Sequence, residues 1–316
     1  RGVRNVRSSG TSIGAVPTAP GPAAAPGAPA DVRERHVYEP TSSRLTTDRH
    51  YWRELWERRH FALELSRAEM DATHSNTAFG RLWLLLNPVL TASVYFLLVV
   101  IIGGGRKGPD YFVHLLGALF AFHLLQGAMT AGSQTVVGGG KLVLNTSFPL
   151  LLLPLSAMRT AVSKFLPTLI IFFAFFSYFA LFAPKSDANT LHFSVVQLMA
   201  IPAFGLLVVF TAGMTLLMAT AQVYFRDVSN FLPYVTRMWM YLSPVLYFAW
   251  QMKPWMLKFE IFNPIFAILA VWGETLVRGD FGLPSWWLMA IAWAFGTFAI
   301  GLVVFRAKER EFPVRL

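Results

Sequence analysis

Long apolar stretches, almost free of charged side chains, recur along this chain and constrain its fold more than any other feature. The hydrocarbon core of a bilayer requires about 20 apolar residues per helical crossing. Hydrophobic residues make up 55% of the 316 residues and charged residues only 14%. A soluble core cannot hide that much apolar surface. The sequence therefore predicts an all-α integral membrane protein.

Six of the apolar runs are long enough to be membrane-spanning helices. The expected spans are 82–102, 111–136, 150–183, 194–221, 229–250 and 285–305. In the third run, Pro154 and Pro167 predict that the first two turns run along the cytoplasmic surface or enter the membrane with a kink. A shorter run at 259–276 is broken at Asn263-Pro264. Its length predicts a re-entrant helical hairpin on the outer side, between spans five and six.

The N-terminal quarter of the chain divides into two parts by composition. Residues 1–48 are rich in Pro, Ala and Arg without apolar periodicity, which is typical of a disordered cytoplasmic tail. Across 49–74, Trp52 and Trp56 fall on one helical face while charged residues such as Arg58 fall on the remainder. This pattern predicts an amphipathic helix on the membrane surface, with docking on a soluble domain as the alternative. Residues 75–316 then form the six-span domain.

The distribution of cations gives the orientation. With the N-terminus inside, the outer side holds only six of the 27 Lys and Arg residues, at Arg106, Lys107, Lys185, Lys253, Lys258 and Arg278. Because cytoplasmic loops carry the excess of cations, both termini are predicted to be cytoplasmic. The cations behind the net charge of +10 stand beside apolar runs. They therefore favour anionic membrane lipids, and not nucleic acid, as a partner.

The residues argue against catalytic, metal-binding and ion-coupled chemistry on this chain. Gly138-Gly139-Gly140-Lys141 resembles a phosphate-binding loop, but Thr135 and Leu142 stand where that motif needs Gly and Ser or Thr. The six expected spans contain no Asp or Glu, the groups on which ion coupling usually depends. His114 and His123 lie nine residues apart on one helix and point to different sides, so they form no metal pair. No catalytic residue, metal or cofactor is expected.

Four motifs occur in the order found in one transporter family. They are Phe79-Gly80-Arg81-Leu82-Trp83 followed by Asn87-Pro88, then Phe225-Arg226-Asp227, Ser243-Pro244-Val245-Leu246-Tyr247 and Asn263-Pro264. Over residues 50–316 the chain resembles the permease, or transmembrane, subunit of ABC-2 type polysaccharide exporters, which move O-antigen, teichoic acid or galactan. The Pro- and Ala-rich extension favours an actinobacterial galactan exporter within that family.

The resemblance implies a homodimer in the bacterial inner membrane that exports a polyprenyl-diphosphate-linked polysaccharide. Two copies of a separate ABC ATPase subunit would bind ATP and Mg. The loop 138–149 resembles the family's cytoplasmic coupling helix, whose contacts would be made by Lys141, Leu144, Asn145, Phe148 and Pro149. The helix 49–74 would be the second ATPase contact, through Trp52, Trp56, Arg58 and Arg59. Arg226 and Asp227 would either gate the pathway or close a helix end at the headgroup layer.

Aromatic rings can hold sugar faces without fixing a hydrogen-bond register. The candidates to line a glycan pathway are Tyr95 and Phe96 in span one, and Trp239, Tyr241 and Tyr247 in span five. Lipid contact or core packing is the alternative role for each ring. Two other functions remain alternatives: an ABC-2 exporter of a small molecule or lipid, and a passive channel or scaffold subunit of a glycan synthase complex.

Overall fold

The structure is a computed structural model that describes residues 48–74, 79–102, 108–140, 148–183 and 191–316. In chain order the helices are α1 Asp48–Glu57, α2 Arg59–His74, α3 Trp83–Ile102, α4 Pro109–Gly138, α5 Leu152–Phe182, α6 Ala200–Tyr224, α7 Val228–Leu242, α8 Pro254–Glu260, α9 Phe266–Gly273, α10 Pro284–Lys308 and α11 Phe312–Arg315. Short 3₁₀ turns precede α3 and α6 and follow α10, and a π-helical turn extends α9 to Arg278. No strand occurs in the described ranges, which confirms the all-α class.

Four helices are long and apolar enough to cross a membrane. They are Pro109–Gly138, Leu152–Phe182, Val195–Tyr224 and Pro284–Arg315. The two other expected spans correspond to shorter apolar helices. The apolar stretch of α3 is Leu86–Leu98, and α7 has only 15 residues. The count of six spans therefore stays a prediction.

Helix α4 is the central helix of the bundle. Its apolar window is 78% buried, against 22% for α5. It packs along α5 and α6 and also contacts α3, α7 and α9. The small residues Gly117, Ala118 and Ala121 on α4 are buried there. They let neighbouring helices approach closely, since small side chains favour tight packing between membrane helices.

Helices α6 and α10 form the most extensive helix pair, and two glycines set their separation. A Cβ atom added to Gly213 would lie 2.6 Å from the backbone nitrogen of Phe298 on α10. A Cβ atom added to Gly301 would lie 2.5 Å from the carbonyl oxygen of Gly213. The two backbones are therefore in direct contact, and neither position has room for a side chain.

The expected surface helix at 49–74 is divided into two helices at Arg58. The backbone N–H of Arg58 still bonds Glu54 at 2.9 Å, and α2 begins at the next residue. Because of this break, α1 and α2 reach different partners. Tyr51 on α1 contacts the end of α10, whereas Ser66 on α2 contacts α5.

The fifth expected span ends earlier than the sequence suggested. Helix α7 stops at Leu242 because Ser243, which precedes Pro244, is extended with ψ 158. Proline disfavours the helical region for the residue before it, and at Ser243 the chain takes the extended conformation. The prediction of a helix to residue 250 is therefore wrong at its C-terminal end.

The expected break at Asn263-Pro264 is present. It separates α8 from α9, and every residue of α9 is buried. Whether α8 and α9 form a re-entrant hairpin in the membrane stays a prediction. The third run forms one helix of 31 residues, with Pro167 inside it.

Candidate functional site

One carboxylate joins three separate segments at one end of the bundle. Glu309, which follows α10, accepts hydrogen bonds from the Tyr51 hydroxyl at 2.9 and 3.0 Å. It also accepts the backbone N–H of Leu150 at 2.7 Å. Tyr51 belongs to α1, and Leu150 stands just before α5. This Tyr51–Glu309 junction therefore connects α1, the start of α5 and the end of α10.

Arg306 balances the charge of the junction. Its guanidinium lies 3.5 Å from the Glu309 carboxylate and 3.4 Å from the centre of the Tyr51 ring. The Glu309 side chain is only 12% exposed, so its charge depends on these partners. Burial, reinforced by the Glu309 charge, raises the pKa of the Tyr51 hydroxyl. Tyr51 therefore remains a hydrogen-bond donor throughout the physiological pH range.

Apolar side chains pack beside the junction. The rings of Phe305 and Phe312 meet edge to face at 5.2 Å, and both are fully buried. Leu150, Leu151 and Leu153 pack with them in the same cluster. The end of α10 and the start of α5 thus share a small core of their own.

The second half of the expected coupling segment is anchored next to this junction. Phe148 packs against the ring of Phe61 on α2 with centres 5.4 Å apart, and Pro149 is buried. Lys141, Leu144 and Asn145 lie outside the described residues. The chain that returns from this loop is therefore held by α2 through Phe148 and by Glu309 through Leu150.

Helix α2 is docked on α5 through polar contacts. The hydroxyl of Thr160 donates to Ser66 at 2.9 Å and lies 3.1 Å from Glu69. The Arg159 guanidinium donates to the carbonyl of Leu63 at 3.2 Å. The sequence predicts an amphipathic helix on the membrane surface, and in the structure one side of α2 contacts α5.

The expected interface residues on α1 and α2 face outward. Trp56 is 67% exposed, and the Arg59 guanidinium lies 4.7 Å from the centre of its ring. Arg58 pairs with Glu54 at 3.0 Å, and Trp52 is exposed beside the junction. These side chains are thus available to a partner or to lipid headgroups.

The turn between α6 and α7 is closed by a residue that the sequence motifs did not reveal. The Gln222 side chain donates to the carbonyl of Arg226 at 2.7 Å and accepts the N–H of Ser229 at 2.7 Å. The Arg226 guanidinium donates to the carbonyl of Leu316 at 3.1 Å. Asp227 makes no ion pair within the described ranges. The feature of the sequence that could have revealed Gln222 is its place as a glutamine inside a largely apolar helix.

The first-span motif has a local structural explanation. Gly80 has φ +50, a left-handed conformation that favours glycine, and it begins the turn that leads into α3. Phe79 and Trp83 meet edge to face at 5.7 Å across this turn. Pro88 lies inside α3, where the Thr91 hydroxyl bonds the carbonyl of Asn87 at 2.8 Å. The motif therefore shapes the start of the helix.

At the opposite end of the bundle, Asn263 brings the two remaining motifs together. Its amide oxygen accepts the Trp239 indole N–H at 2.8 Å. Its amide nitrogen lies 3.1 Å from the Leu242 carbonyl, the last of α7, and 3.3 Å from the Ser243 hydroxyl. The Asn263 side chain thus satisfies the C-terminal end of α7, where helix carbonyls lack partners.

Glu260 and Tyr247 complete this Asn263 cluster. Tyr247 donates to the Leu242 carbonyl at 2.9 Å and contacts Glu260 at 3.3 Å, and Glu260 also bonds the Asn263 amide at 3.2 Å. Burial raises the pKa of Glu260, and the bonds from Asn263 and Tyr247 oppose that rise. The cluster ties α7, the following loop and α8 into one structure.

The five expected pathway aromatics do not form one group. Tyr95 on α3 and Tyr241 on α7 meet with ring centres 6.4 Å apart. Phe96 packs on Phe112 of α4 at 4.9 Å. Trp239 and Tyr247 belong to the Asn263 cluster instead. Among these five residues, only Tyr95 and Tyr241 contact each other outside the Asn263 cluster, and the Tyr241 ring remains exposed.

Comparison with known proteins gives similarity over most of the chain, although no family model matches it. The O-antigen export system permease protein RfbA of Klebsiella pneumoniae is 24% identical over 250 residues, which cover 78% of this chain and 92% of that protein. The protein of the same name from Myxococcus xanthus is 24% identical over 198 residues, covering 62% and 71% respectively. The resemblance that the ordered motifs indicated is thus confirmed: over most of its length this chain resembles the permease subunits of ABC-2 type polysaccharide exporters.

Proposed function

We propose that this chain is the permease subunit of an ATP-driven exporter in a bacterial inner membrane. Its substrate is a polyprenyl-diphosphate-linked polysaccharide, O-antigen-like or galactan-like, which moves from the cytoplasmic to the outer side. The observation that carries the proposal is the similarity over 250 residues to a protein named as an O-antigen export permease. ATP and Mg are bound by a separate ATPase subunit.

The proposed membrane arrangement has six spans with both termini in the cytoplasm. Helices α3 and α7 are the first and fifth spans, and α8 with α9 forms the outer re-entrant hairpin. Cytoplasmic termini require the two terminal regions to lie at the same end of the bundle. The hydrogen bond between Tyr51 and Glu309 meets that requirement, since it joins α1 to the residue that follows α10, the last long helix.

The proposed assembly is a homodimer with two ATPase subunits. The loop that contains Lys141, Leu144 and Asn145 seats in the ATPase together with Phe148, and α1 provides the second contact. The anchoring of Phe148 on Phe61, and of Leu150 on Glu309, supports this role. A force applied to the loop would reach α2, α5 and the end of α10 through these contacts.

Depletion of the chain in its native cell tests the function. Lipid-linked glycans are then assayed on each face of the inner membrane, and polymer is expected to accumulate on the cytoplasmic face. A normal distribution would favour the exporter of a small molecule or lipid. Glycan flux in vesicles without ATP would favour the passive channel or scaffold.

The coupling role is tested by Phe148→Asp combined with Leu144→Asp. In the complex with its ATPase, this variant is expected to lose the stimulation of ATP turnover by substrate. Leu283→Asp is the matched control, because Leu283 is exposed at the opposite end of the bundle. Normal stimulation in the double variant would contradict the coupling assignment.

A further inference from the structure

The outward face of α7 carries two parallel rows of side chains that differ in chemistry. One row is polar and consists of Asn230, Tyr234, Arg237 and Tyr241. The other is apolar and consists of Phe231, Val235, Met238 and Leu242. In each row the spacing is four, three and four residues, which places the members on one line along a helix. All eight residues are exposed, while Leu232, Thr236 and Met240 are buried on the opposite side.

Arg237 is the only charged residue of α7. It stands nine residues after Val228, so it lies about 14 Å along the helix from its first residue. In the described part of the chain it has no ion pair and no hydrogen bond. A cation at such a position in a membrane helix is costly, and such residues usually mark a substrate or ion pathway. Arg237 therefore calls for an anionic partner.

Tyrosines from two helices lie along the same row as this cation. Tyr234 and Tyr241 are its neighbours in the polar row of α7. Tyr95 on α3 meets the Tyr241 ring with centres 6.4 Å apart, which brings a third tyrosine to the same polar row. Arg237 therefore shares its row with rings that suit sugar faces and with hydroxyl groups that can donate to an oxyanion.

We propose that the polar row of α7 binds the diphosphate of a polyprenyl-linked substrate, with Arg237 as the residue that holds the phosphate oxygens. A guanidinium pairs bidentately with phosphate. The apolar row lies beside the prenyl chain, and Tyr95 and Tyr241 contact the first sugars. This inference rests on the proposed function and assigns the part of the substrate that this face recognises.

The match between rows and ligand decides against the other possible occupants of this face. A second copy of the same face would bring another Arg237 toward the first, which leaves the positive charge unbalanced. Lipid acyl chains suit the apolar row but offer nothing to Arg237. A lipid diphosphate supplies an anion beside a long apolar chain and therefore fits both rows at once.

The test is a binding measurement on the full chain in nanodiscs of zwitterionic lipid. The probe is undecaprenyl diphosphate, and undecaprenol, which lacks the phosphates, reports on the apolar row alone. Arg237→Gln is expected to weaken binding of the diphosphate by about 10-fold or more, because it removes a charge-assisted contact. Its binding of undecaprenol is expected to stay unchanged.

Two further variants keep the test decisive. Arg237→Lys keeps the charge but loses the bidentate geometry, so its affinity should fall between those of the wild type and Arg237→Gln. This order is not expected from a general folding defect. Lys258→Gln removes an exposed cation from α8 and should bind the diphosphate like the wild type.

Phosphatidylglycerol in the nanodisc separates substrate from ordinary anionic lipid. The proposal requires undecaprenyl diphosphate to bind in its presence with little competition. Equal affinities of wild type and Arg237→Gln would overturn the proposal, and so would full displacement by phosphatidylglycerol. Because this readout needs no export, it can fail while glycan still accumulates on depletion of the chain, and it can succeed where that assay fails.

Discussion

Replacement of Glu309 by alanine should release α1 from the bundle. The change removes the acceptor of two buried donors, the Tyr51 hydroxyl and the Leu150 N–H, and leaves Arg306 without its carboxylate. A hydrogen bond to a charged group contributes about 1.5–3 kcal/mol. Leu150 stands before α5, so only the Tyr51 bond contributes to holding α1. We therefore expect a loss of about 2 kcal/mol, which corresponds to a population of detached α1 raised about 30-fold.

Hydrogen–deuterium exchange of the α1 amides in the assembled complex measures this population directly. Tyr51→Phe removes one of the two donors and should raise exchange about 10-fold, since about 1.4 kcal/mol is a tenfold change. Because both substitutions act on one contact, the double variant should exchange no faster than Glu309→Ala alone.

Arg310→Ala is the matched control for Glu309→Ala, because Arg310 is an exposed neighbour in the same turn. It should leave exchange in α1 unchanged. If Glu309→Ala exchanges at the rate of this control, the junction does not hold α1 and the reasoning is refuted.

Three other outcomes follow from the structure. Gly213→Ala should destabilise the protein by about 2 kcal/mol through overpacking between α6 and α10, whereas Gly296→Ala, with open space around it on α10, should not lower the thermal midpoint. Gly80→Ala should cost about 1 kcal/mol, because φ is +50 and no neighbour lies within 4 Å to add a clash; a normal midpoint would show that the turn relaxes. The pKa of Glu260 is raised in the folded protein, so stability should fall as pH rises from the ordinary carboxyl value through that raised pKa. In Glu260→Gln this pH dependence of stability should vanish. If the thermal midpoints of this variant follow those of the wild type between about pH 4 and 7, Glu260 is not the group responsible.

Local patterns predicted the parts of the fold that depend on neighbouring residues. Apolar length located the four long helices, and the Asn263-Pro264 break was found where the sequence placed it. The end of α7 was misplaced by eight residues because hydropathy continues through Ser243-Pro244, whereas the helix ends at Leu242. Proline chemistry outweighed apolar length at that point.

Contacts between distant residues were beyond the reach of sequence patterns. Tyr51 and Glu309 belong to no motif, and their hydrogen bond depends on how α1 meets the end of α10. The contact of Gly213 with Gly301 likewise requires the crossing of α6 and α10, and an isolated glycine in an apolar helix gives little warning of it. The Asn263 cluster shows the intermediate case, since both of its motifs were recognised but their meeting was not.

The burial of α4 determines where a wide passage for a polymer can form. Phe120, Phe122 and Leu119 are almost wholly enclosed by neighbouring helices. Opening a hydrated passage through the protomer would expose such side chains to water, at about 1.5–3 kcal/mol each. A hydrated passage inside one protomer is therefore costly, so under the proposed function the glycan would pass along the outer surface of the bundle, between the two protomers of the proposed homodimer.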